Sequence, residues 1–259
     1  MIKLKTKEEI KTLREGGKIL GEILLAVAAI AVPGASTMDL EEKAIKLIEK
    51  AGGKPSFKGY KSRQDSAYFP CALCTSINEE VVHGLSTPAR YLRNGDLLCL
   101  DIGMRYKKLF TDTALTVGVG EIDEHKKKLI AVTRECLDLA IQQSKPGNKL
   151  LDIARAVQIN AEANGFGVVR ELVGHGVGHA VHEEPQVPNF YDGEDPDLDL
   201  VLTPGLVIAI EPMVTAGDWR VKTGKDGFTI VTKDKSLAAH FEHTIAITEE
   251  GNIVITAAE

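Results

Sequence analysis

The spacing of apolar residues along the chain predicts four helices in two similar pairs. Apolar residues recur at helical intervals from Lys7 to Ala31 and again from Glu124 to Gln143. A Pro-Gly pair follows each stretch, and a second amphipathic stretch begins soon after it. The apolar run from Ile19 to Val32 is too short to span a bilayer and ends at Pro33-Gly34, so it should belong to a buried helix.

The two helix pairs belong to an internal repeat. The segment AVPGASTMDLEEKAIKLIEKAGG, which begins at Ala31, resembles SKPGNKLLDIARAVQINAEANGFG, which begins at Ser144. An acid near a helix start and a glycine at a helix end both favour the predicted boundaries. The chain should therefore be one domain, 1–259, made of two halves at roughly 1–122 and 123–259. Three features correspond at an offset of 113 positions: Pro33-Gly34 with Pro146-Gly147, Asp39 with Asp152, and Gly52 with Gly165.

After each helix pair, apolar β-prone runs predict strands that carry acids. NGDLLCLDIG, which contains Asp101, parallels PGLVIAIEPM, which contains Glu211, at an offset of 110. Each run ends in its carboxylate, as expected of a buried strand that delivers an acid at its end. A second strand follows in each half and carries Asp112 in one and Glu242 in the other. The predicted class is therefore α+β, with two helices and an acid-bearing strand pair in each half.

Four buried acids need a counter-charge. An unpaired carboxylate in low dielectric loses several kcal/mol of solvation or takes up a proton. Four of them gathered at the centre would also repel one another, and divalent cations would remove that repulsion. The acids therefore predict a two-metal site where the two halves meet.

A histidine-rich and glycine-rich segment, GHGVGHAVHEEP, adds imidazoles to the acids. His175 and His179 have the spacing HxxxH, but Gly176 stands where the zinc-protease motif HExxH has glutamate, and the glycines argue against a helix. Without the four acids, structural histidines would be the favoured interpretation of this segment. For His179, a structural role or a contact to the metal ligands is favoured over ligation, and His125 and His243 are interpreted as structural.

Composition and charge exclude some classes of partner and indicate the cellular compartment. The chain has 44% hydrophobic and 26% charged residues, which is ordinary for a soluble protein with a sizeable core. The net charge of −6 argues against nucleic acid as the main ligand. The first residues are too charged for a signal peptide, and four cysteines in a chain of this length do not indicate a disulfide framework. We expect a cytoplasmic protein that does not enter membranes.

Taken together, the motifs resemble those of type I methionine aminopeptidases over nearly the whole chain. The resemblance implies the pita-bread fold, in which two pseudo-symmetric α+β halves enclose a central dimetal site. This fold agrees with the repeat found independently of it. The motifs are INEEVVHG around His83, LDIG at Asp101, TDTALT at Asp112, GHGVGHAVHEEP at His175, IAIEPM at Glu211 and VTKDKSLAAHFEHTIAIT at Glu242.

The resemblance also implies the metal ligands. Asp101 would chelate one metal ion, while Asp112 and Glu242 would bridge both. His175 and Glu211 would bind the second ion. Oxygen-rich ligation with one imidazole suits divalent Mn, Fe, Co or Zn, so two such ions are expected in each chain.

Catalytic roles follow from the same resemblance. The two ions would share a water molecule and lower its pKa toward neutrality, so that a metal-bridged hydroxide attacks the scissile carbonyl. Glu211 would accept and relay the proton. His182 would stabilise the oxyanion, and His83 would contact the peptide nitrogen. Taken without the resemblance, His83 would be an ordinary surface histidine.

An apolar pocket for the methionine side chain is implied as well, with His182 at its edge. The sequence departs from the family here, because Phe57 stands where bacterial members often have Cys, Phe228 replaces a frequent Trp, and His240 replaces a frequent Gln. The link at 61–68 is longer than usual. Cys71 and Cys74 form a CxxC pair without a second pair or a helix start, so neither zinc binding nor redox activity is favoured. By position, the pocket would draw on Phe57, Tyr60, Phe69, Cys74 and Phe228.

The sequence thus predicts a metalloaminopeptidase that removes N-terminal methionine from nascent chains and peptides, preferably before a small second residue. A proline-specific aminopeptidase or prolidase of the same fold is the first alternative. A non-catalytic binding protein would be expected to lack ligands, and all five are present. A ribosome-associated regulatory protein is the third alternative. Transient ribosome docking and a monomeric state are expected.

Overall fold

All four predicted helices are present in the structure, a computed structural model that describes residues 2–61, 67–191, 193 and 196–258. The first is shorter than its apolar pattern and ends at Ala28, because the chain then turns toward Gly34, whose N–H donates to the carbonyl of Leu92 at 2.8 Å. None of the helices among these residues is long and apolar enough to cross a membrane. The helices are α1 (Lys7–Ala28), α2 (Thr37–Lys50), α3 (Glu124–Gln143) and α4 (Leu150–Ala163), with a 3₁₀ turn at Pro196–Asp199.

Side chains at the helix starts satisfy backbone N–H groups that would otherwise lack partners. Asp39 accepts from the backbone N–H of Ser36 at the start of α2, at 3.3 Å. Asp152 does the same for Lys149 at the start of α4, at 2.8 Å. The two repeat-related acids therefore act as reciprocal caps, which explains why both halves have an acid at this position.

The turns of the two halves also share their backbone geometry. Gly34 and Gly147 have φ of +89° and +91°, a region that favours glycine. The N–H of Gly147 donates to the carbonyl of Leu202 at 2.9 Å, as that of Gly34 does to Leu92. Gly95 and Gly205 have φ of +92° and +93° just before the strands of Asp101 and Glu211. The sequence repeat is therefore matched by a structural one.

Within the described residues, the strands form one nine-stranded sheet and two three-stranded sheets. The large sheet has the order β1-β4-β5-β14-β9-β7-β8, with β2 added to β4 and β15 to β14, and the smaller sheets are β13-β10-β6 and β11-β12-β3. The strands, numbered along the chain, are β1 (Lys54–Pro55), β2 (Leu73–Ile77), β3 (Glu80–Val82), β4 (Leu97–Tyr106), β5 (Leu109–Gly118), β6 (Gly167–Val168), β7 (Gly174–Gly176), β8 (Glu183–Val187), β9 (Val207–Ile210), β10 (Met213–Thr215), β11 (Val221–Thr223), β12 (Ile230–Thr232), β13 (Ala238–His240), β14 (Glu242–Thr248) and β15 (Gly251–Val254).

The helices pack mainly on one face of the large sheet, although Leu13 of α1 also joins a small core with Val207 and Ala246. Alternate residues of β4, such as Leu98 and Leu100, join a core with Leu20 and Leu40 of the first helix pair. Ile245 of β14 and alternate residues of β9 join a second core with the other pair. Because successive strand residues point to opposite faces, the acids between these apolar residues point to the face away from the helices.

The predicted position of Asp101 at a strand end was wrong. β4 continues five residues beyond it, to Tyr106, and makes a hairpin with β5 in which Tyr106 pairs with Leu109. Neighbouring strands on both sides of β4 extend the pairing past the acid, which local sequence does not reveal. Glu211, by contrast, directly follows the end of β9.

Candidate metal centre

Strand pairing in the first half places two acids on one face of the sheet. Directly opposed residues on neighbouring strands point to the same face, as do residues two apart on one strand. β4 and β5 pair Asp101 with Ala114 and Gly103 with Asp112, so both aspartates share a face. β14 pairs Glu242 with the same Ala114, which adds a third carboxylate at the seam between the two halves.

The second half brings the remaining residues to that face. Thr244, two residues after Glu242, pairs with Ala209 of β9, and His175 of β7 pairs with Ala209 from the other side. Glu211 lies two residues beyond Ala209 and continues the alternation. All five predicted ligands therefore face the same side of one sheet, although they come from five strands or strand ends.

Small residues lie between the ligands on this face. Ala114 lies opposite both Asp101 and Glu242, and Ala209 lies opposite His175. Neither side chain reaches beyond its Cβ, and Ala209 packs into a small core with Leu13 of α1 and Val207. At Gly103, an added Cβ would lie only 2.5 Å from the Phe57 ring, so glycine is required for that ring to pack there.

This face of the sheet is the floor of a cavity of about 950 Å³. Ligand atoms of Asp112, His175 and Glu242 lie within 4.8 Å of one another, close enough to share a metal ion. Glu211 Oε1 lies 3.7 Å from His175 Nε2. The cavity wall includes every predicted site residue: Phe57, Tyr60, Phe69, Cys74, His83, Asp101, Asp112, His175, His182, Glu211, Phe228 and Glu242.

Among the residues that the structure describes, no Lys or Arg side chain forms an ion pair with these carboxylates. Among the described residues, one buried oxygen each of Asp101, Asp112 and Glu242 has no hydrogen-bond partner. Loss of solvation on burial raises the pKa of Asp101 to about 7. Burial, and then the neighbouring acids, raise the pKa of Asp112, Glu211 and Glu242 well above the ordinary range. Unpartnered oxygens that converge on one space are the donor set that divalent cations prefer, so these residues fit a metal centre.

His175 has the form that a metal ligand needs. Its Nδ1–H donates to the carbonyl of Gly176 at 2.9 Å, which leaves the lone pair of the neutral ring on Nε2, the atom that faces Glu211. Burial lowers the pKa of His175 to about 4, so the ring is neutral at physiological pH. As the glycines indicated, the residue lies on a strand and not on a helix.

The two other predicted catalytic histidines lie above the acids. His182 Nδ1 and the Tyr60 hydroxyl oxygen are hydrogen-bonded at 2.7 Å. The ring centre of His182 is 4.4 Å from that of His175. His83 directly follows β3 with φ of +59°. Its ring meets the edge of Phe69 at 6.3 Å between centres. Both histidines thus lie on the solvent side of the buried acids.

Aromatic rings form the apolar side of the cavity. Phe69 and Phe228 pack edge to face at 5.6 Å between centres. Cys74 is buried and pairs with Asp101 on the neighbouring strand. Because desolvation raises the pKa of its thiol, Cys74 lines the cavity as an unreactive thiol. Most of the long link predicted at 61–68, residues 62–66, lies outside the described residues.

Three histidines interpreted as structural lie away from the acid cluster. His179 pairs with Glu9 of α1 at 2.7 Å, and His125 is exposed on α3 near Phe166. His243 shares a strand with Glu242 but points to the opposite face, where Nδ1 contacts Thr256 Oγ1 at 2.9 Å.

Sequence reasoning missed two residues beside Glu211. Asn189 is fully buried, and its amide donates to the backbone carbonyl of Glu211 at 3.0 Å. His240, noted only as a departure from the family, places Nε2 3.7 Å from Glu211 Oε2. No local sequence pattern identifies Asn189. The unusual histidine two residues before Glu242, by contrast, could have indicated a role of His240 near the site.

Comparisons with known proteins agree with this geometry. The model of metallopeptidase family M24 matches residues 11–249. The methionine aminopeptidase of Clostridium acetobutylicum is 43% identical over 260 residues, which cover all of both chains. Methionine aminopeptidase 1 of Bacillus subtilis is 44% identical over 256 residues, 99% of each chain.

Solved structures support the same relationship. The crystal structure of methionine aminopeptidase from Thermotoga maritima covers all of both chains with a TM-score of 0.93 and 44% identity. The prolidase of Pyrococcus horikoshii matches 99% of this chain but 64% of its own, with a TM-score of 0.75 and 21% identity, which shows a shared fold alone. The pita-bread fold expected from the sequence is confirmed.

Proposed function

The chain belongs to metallopeptidase family M24 and, within it, to the methionine aminopeptidases. From this membership we propose that it removes methionine from the N-terminus of peptides and nascent chains, preferably when the second residue is small. The observation that carries the proposal is the set of buried, unpartnered carboxylate oxygens on one sheet face beside His175. A monomeric state, cytoplasmic location and transient docking at the ribosome stay predictions.

Two divalent ions are proposed at this face. Asp112 and Glu242 lie nearest the seam between the halves and are assigned to both ions. Asp101 serves the ion of the first half, and His175 and Glu211 serve the other. Such ions acidify water and polarise a carbonyl when bound, and Mn, Fe, Co or Zn would suit these donors.

Glu211 is proposed as the proton acceptor. Its carboxylate faces the cavity between His175 and His240, so it can take a proton from water and pass it to the leaving amine. Burial and the charge of Asp101 raise its pKa in the metal-free protein.

His182 and His83 are proposed to orient the substrate. A Tyr60 hydroxyl that donates to His182 Nδ1 leaves the ring proton on Nε2, where it can donate to the scissile carbonyl oxygen as charge develops. His83, on the opposite wall beside Phe69, is assigned to the peptide nitrogen. The side chain of methionine would enter the apolar pocket of Phe57, Tyr60, Phe69, Cys74 and Phe228.

The proposed function is tested with purified protein and a small peptide panel. We expect release of Met from Met-Ala-Ser, loss of activity after chelation, and recovery on addition of a divalent metal. Met-Leu-Ser should react far more slowly, and an X-Pro peptide without Met should not react. Cleavage restricted to X-Pro peptides, or Met-Ala-Ser turnover that survives chelation, would overturn the proposal.

Replacing His182 with Ala should lower kcat by about 10²–10³-fold, the scale for loss of one oxyanion donor. Metal content should remain two ions per chain, because His182 is not a proposed ligand. Steady-state kinetics and elemental analysis on the same preparation measure both quantities. His179→Ala is the matched control, since this histidine lies on the same segment but pairs with Glu9. Equal losses in the two variants would argue for a folding effect of the segment.

A further inference from the structure

His240 lies beside the metal centre without belonging to its donor cluster. The side chain is 1% exposed, and among the described residues its Nε2 has no hydrogen-bond partner. Nε2 lies 3.7 Å from Glu211 Oε2, while the other Glu211 oxygen lies 3.7 Å from His175. The Glu211 carboxylate is therefore held between two imidazoles, of which only His175 groups with Asp112 and Glu242.

Contacts of the His240 backbone and of Nδ1 fix the orientation of its ring. Its backbone is fixed to Thr116, whose hydroxyl accepts from the His240 N–H at 2.9 Å and lies 2.8 Å from the His240 carbonyl. Strand β13 also pairs His240 with Met213, two residues after Glu211. On the far side of the ring, Cys99 Sγ lies 3.6 Å from Nδ1. The strand pairing and the thiol thus direct Nε2 toward Glu211.

Hydrogen-bonding capacity then selects the tautomer. A thiol can donate to Nδ1, and a deprotonated, metal-ligating Glu211 can only accept, so the arrangement that satisfies all three groups has the proton on Nε2. A buried ring nitrogen left without a partner would carry its full desolvation cost, which favours closure of the 3.7 Å gap to Glu211.

We propose that His240 is a positioning residue for Glu211, with Cys99 S–H donating to Nδ1 and Nε2–H donating to Glu211 Oε2. This inference rests on the proposed role of Glu211 as ligand and proton acceptor. One carboxylate oxygen is thereby held toward His240, and Oε1 is directed to the His175 side of the centre. An orienting partner of a ligating carboxylate typically affects metal affinity or activity by 10–100-fold.

The tautomer is tested first, by long-range ¹H–¹⁵N correlation spectroscopy on Zn²⁺-loaded protein labelled at histidine, because a metal-ligating Glu211 is deprotonated and can only accept. His240 should show a protonated Nε2 and an unprotonated Nδ1, and His240→Gln identifies its signals. In Cys99→Ala the preference for this tautomer should weaken. A protonated Nδ1 in the wild-type protein would overturn the proposal whether or not the protein is an aminopeptidase.

Two substitutions then separate positioning from packing. His240→Gln keeps an N–H donor, whereas His240→Leu fills the space without one. With both metal ions bound, the Leu variant should lose about 10–100-fold in kcat with little change in KM, and the Gln variant should recover most of the loss. Circular dichroism melts of the metal-free variants identify any that fail to fold.

Metal titration by calorimetry decides between positioning and ligation. Both variants should still bind two Mn²⁺ ions per chain, with the Leu variant weaker by up to about 100-fold at one of them. Loss of one ion from both variants would make His240 a ligand and overturn the proposal, as would wild-type kcat in His240→Leu. If wild-type protein cleaves no Met peptide, the proposed function fails, while the spectra and titrations still decide the hydrogen bonds of His240.

Discussion

Asp112→Asn is expected to abolish hydrolysis and, at the same time, to raise the thermal stability of the metal-free protein. Asp112 is buried near Asp101, and its pKa is raised by burial and then by the charges of Asp101 and Glu211. Without an ion, this carboxyl opposes folding at neutral pH because it must take up a proton or remain an unpaired buried charge, so a neutral amide of the same shape should stabilise by about 1–4 kcal/mol. With metal, the same change removes a carboxylate that is proposed to serve both ions, and with it about a thousandfold or more of the rate, since ligation supplies several kcal/mol.

Differential scanning calorimetry tests the expected gain in stability, and metal analysis tests the expected loss of metal. The melting temperature of metal-free Asp112→Asn should exceed that of the wild type by a few degrees, at about 2–4 °C for each kcal/mol. Its gain in melting temperature on addition of Mn²⁺ should be largely lost. Asp138→Asn is the matched control, because Asp138 is exposed on α3 and should change neither quantity. Two tightly bound ions in Asp112→Asn would contradict the bridging role.

The stability of the metal-free protein is expected to fall as pH rises above about 6.5. Burial raises the pKa of Asp101 to about 7, and that of Asp112, Glu211 and Glu242 is raised as well. A carboxyl whose pKa is raised on folding keeps its proton in the folded state while the unfolded chain loses it near pH 4. Its contribution is therefore complete below about pH 4 and is lost as pH rises through the folded-state pKa.

Buried histidines act in the opposite direction, but only at lower pH. Burial lowers the pKa of His175 and His243 to about 4 and that of His240 to about 3. Below about pH 6.5 the unfolded chain protonates these rings and the folded protein does not, so they reduce stability as pH falls. Between about pH 4 and 6.5, the carboxyls and the histidines change the stability in opposite directions as pH rises. Above that range, only the carboxyls change it.

Melting temperatures at pH 6.5 to 8, with and without Mn²⁺, measure this effect. Each proton that the folded protein holds and the unfolded chain releases is worth about 1.4 kcal/mol per pH unit, so without metal the melting temperature should fall by roughly 3–6 °C per pH unit for each such proton. Metal binding requires deprotonated ligands and strengthens with pH, so saturating Mn²⁺ should cancel or reverse the slope. Asp112→Asn should show a shallower fall. A metal-free melting temperature that rises over this range would contradict the assignment of these acids to one uncompensated cluster.

Much of the fold was predictable because its signals are local. Helix α3 spans the predicted Glu124–Gln143, since apolar spacing and an acidic start are read within one segment. Asp39 and Asp152 cap their helices for the same reason. The apolar runs before Asp101 and Glu211 did form buried strands, because a run of β-branched and aliphatic residues packs well on both faces. The acid pairs and their repeat were visible without any structure.

The sequence by itself determined the repeated helix pairs, the acid-bearing strands and the need for a counter-charge among the acids. Only the tertiary structure decided that β5 and β14 meet, so that Asp112 and Glu242, 130 positions apart, share a face with His175. It also decided that β4 runs past Asp101 and that His240 and Asn189 flank Glu211. The physical reason is that residue spacing reports how side chains alternate within a strand, whereas the register between distant strands depends on how the whole sheet pairs and packs.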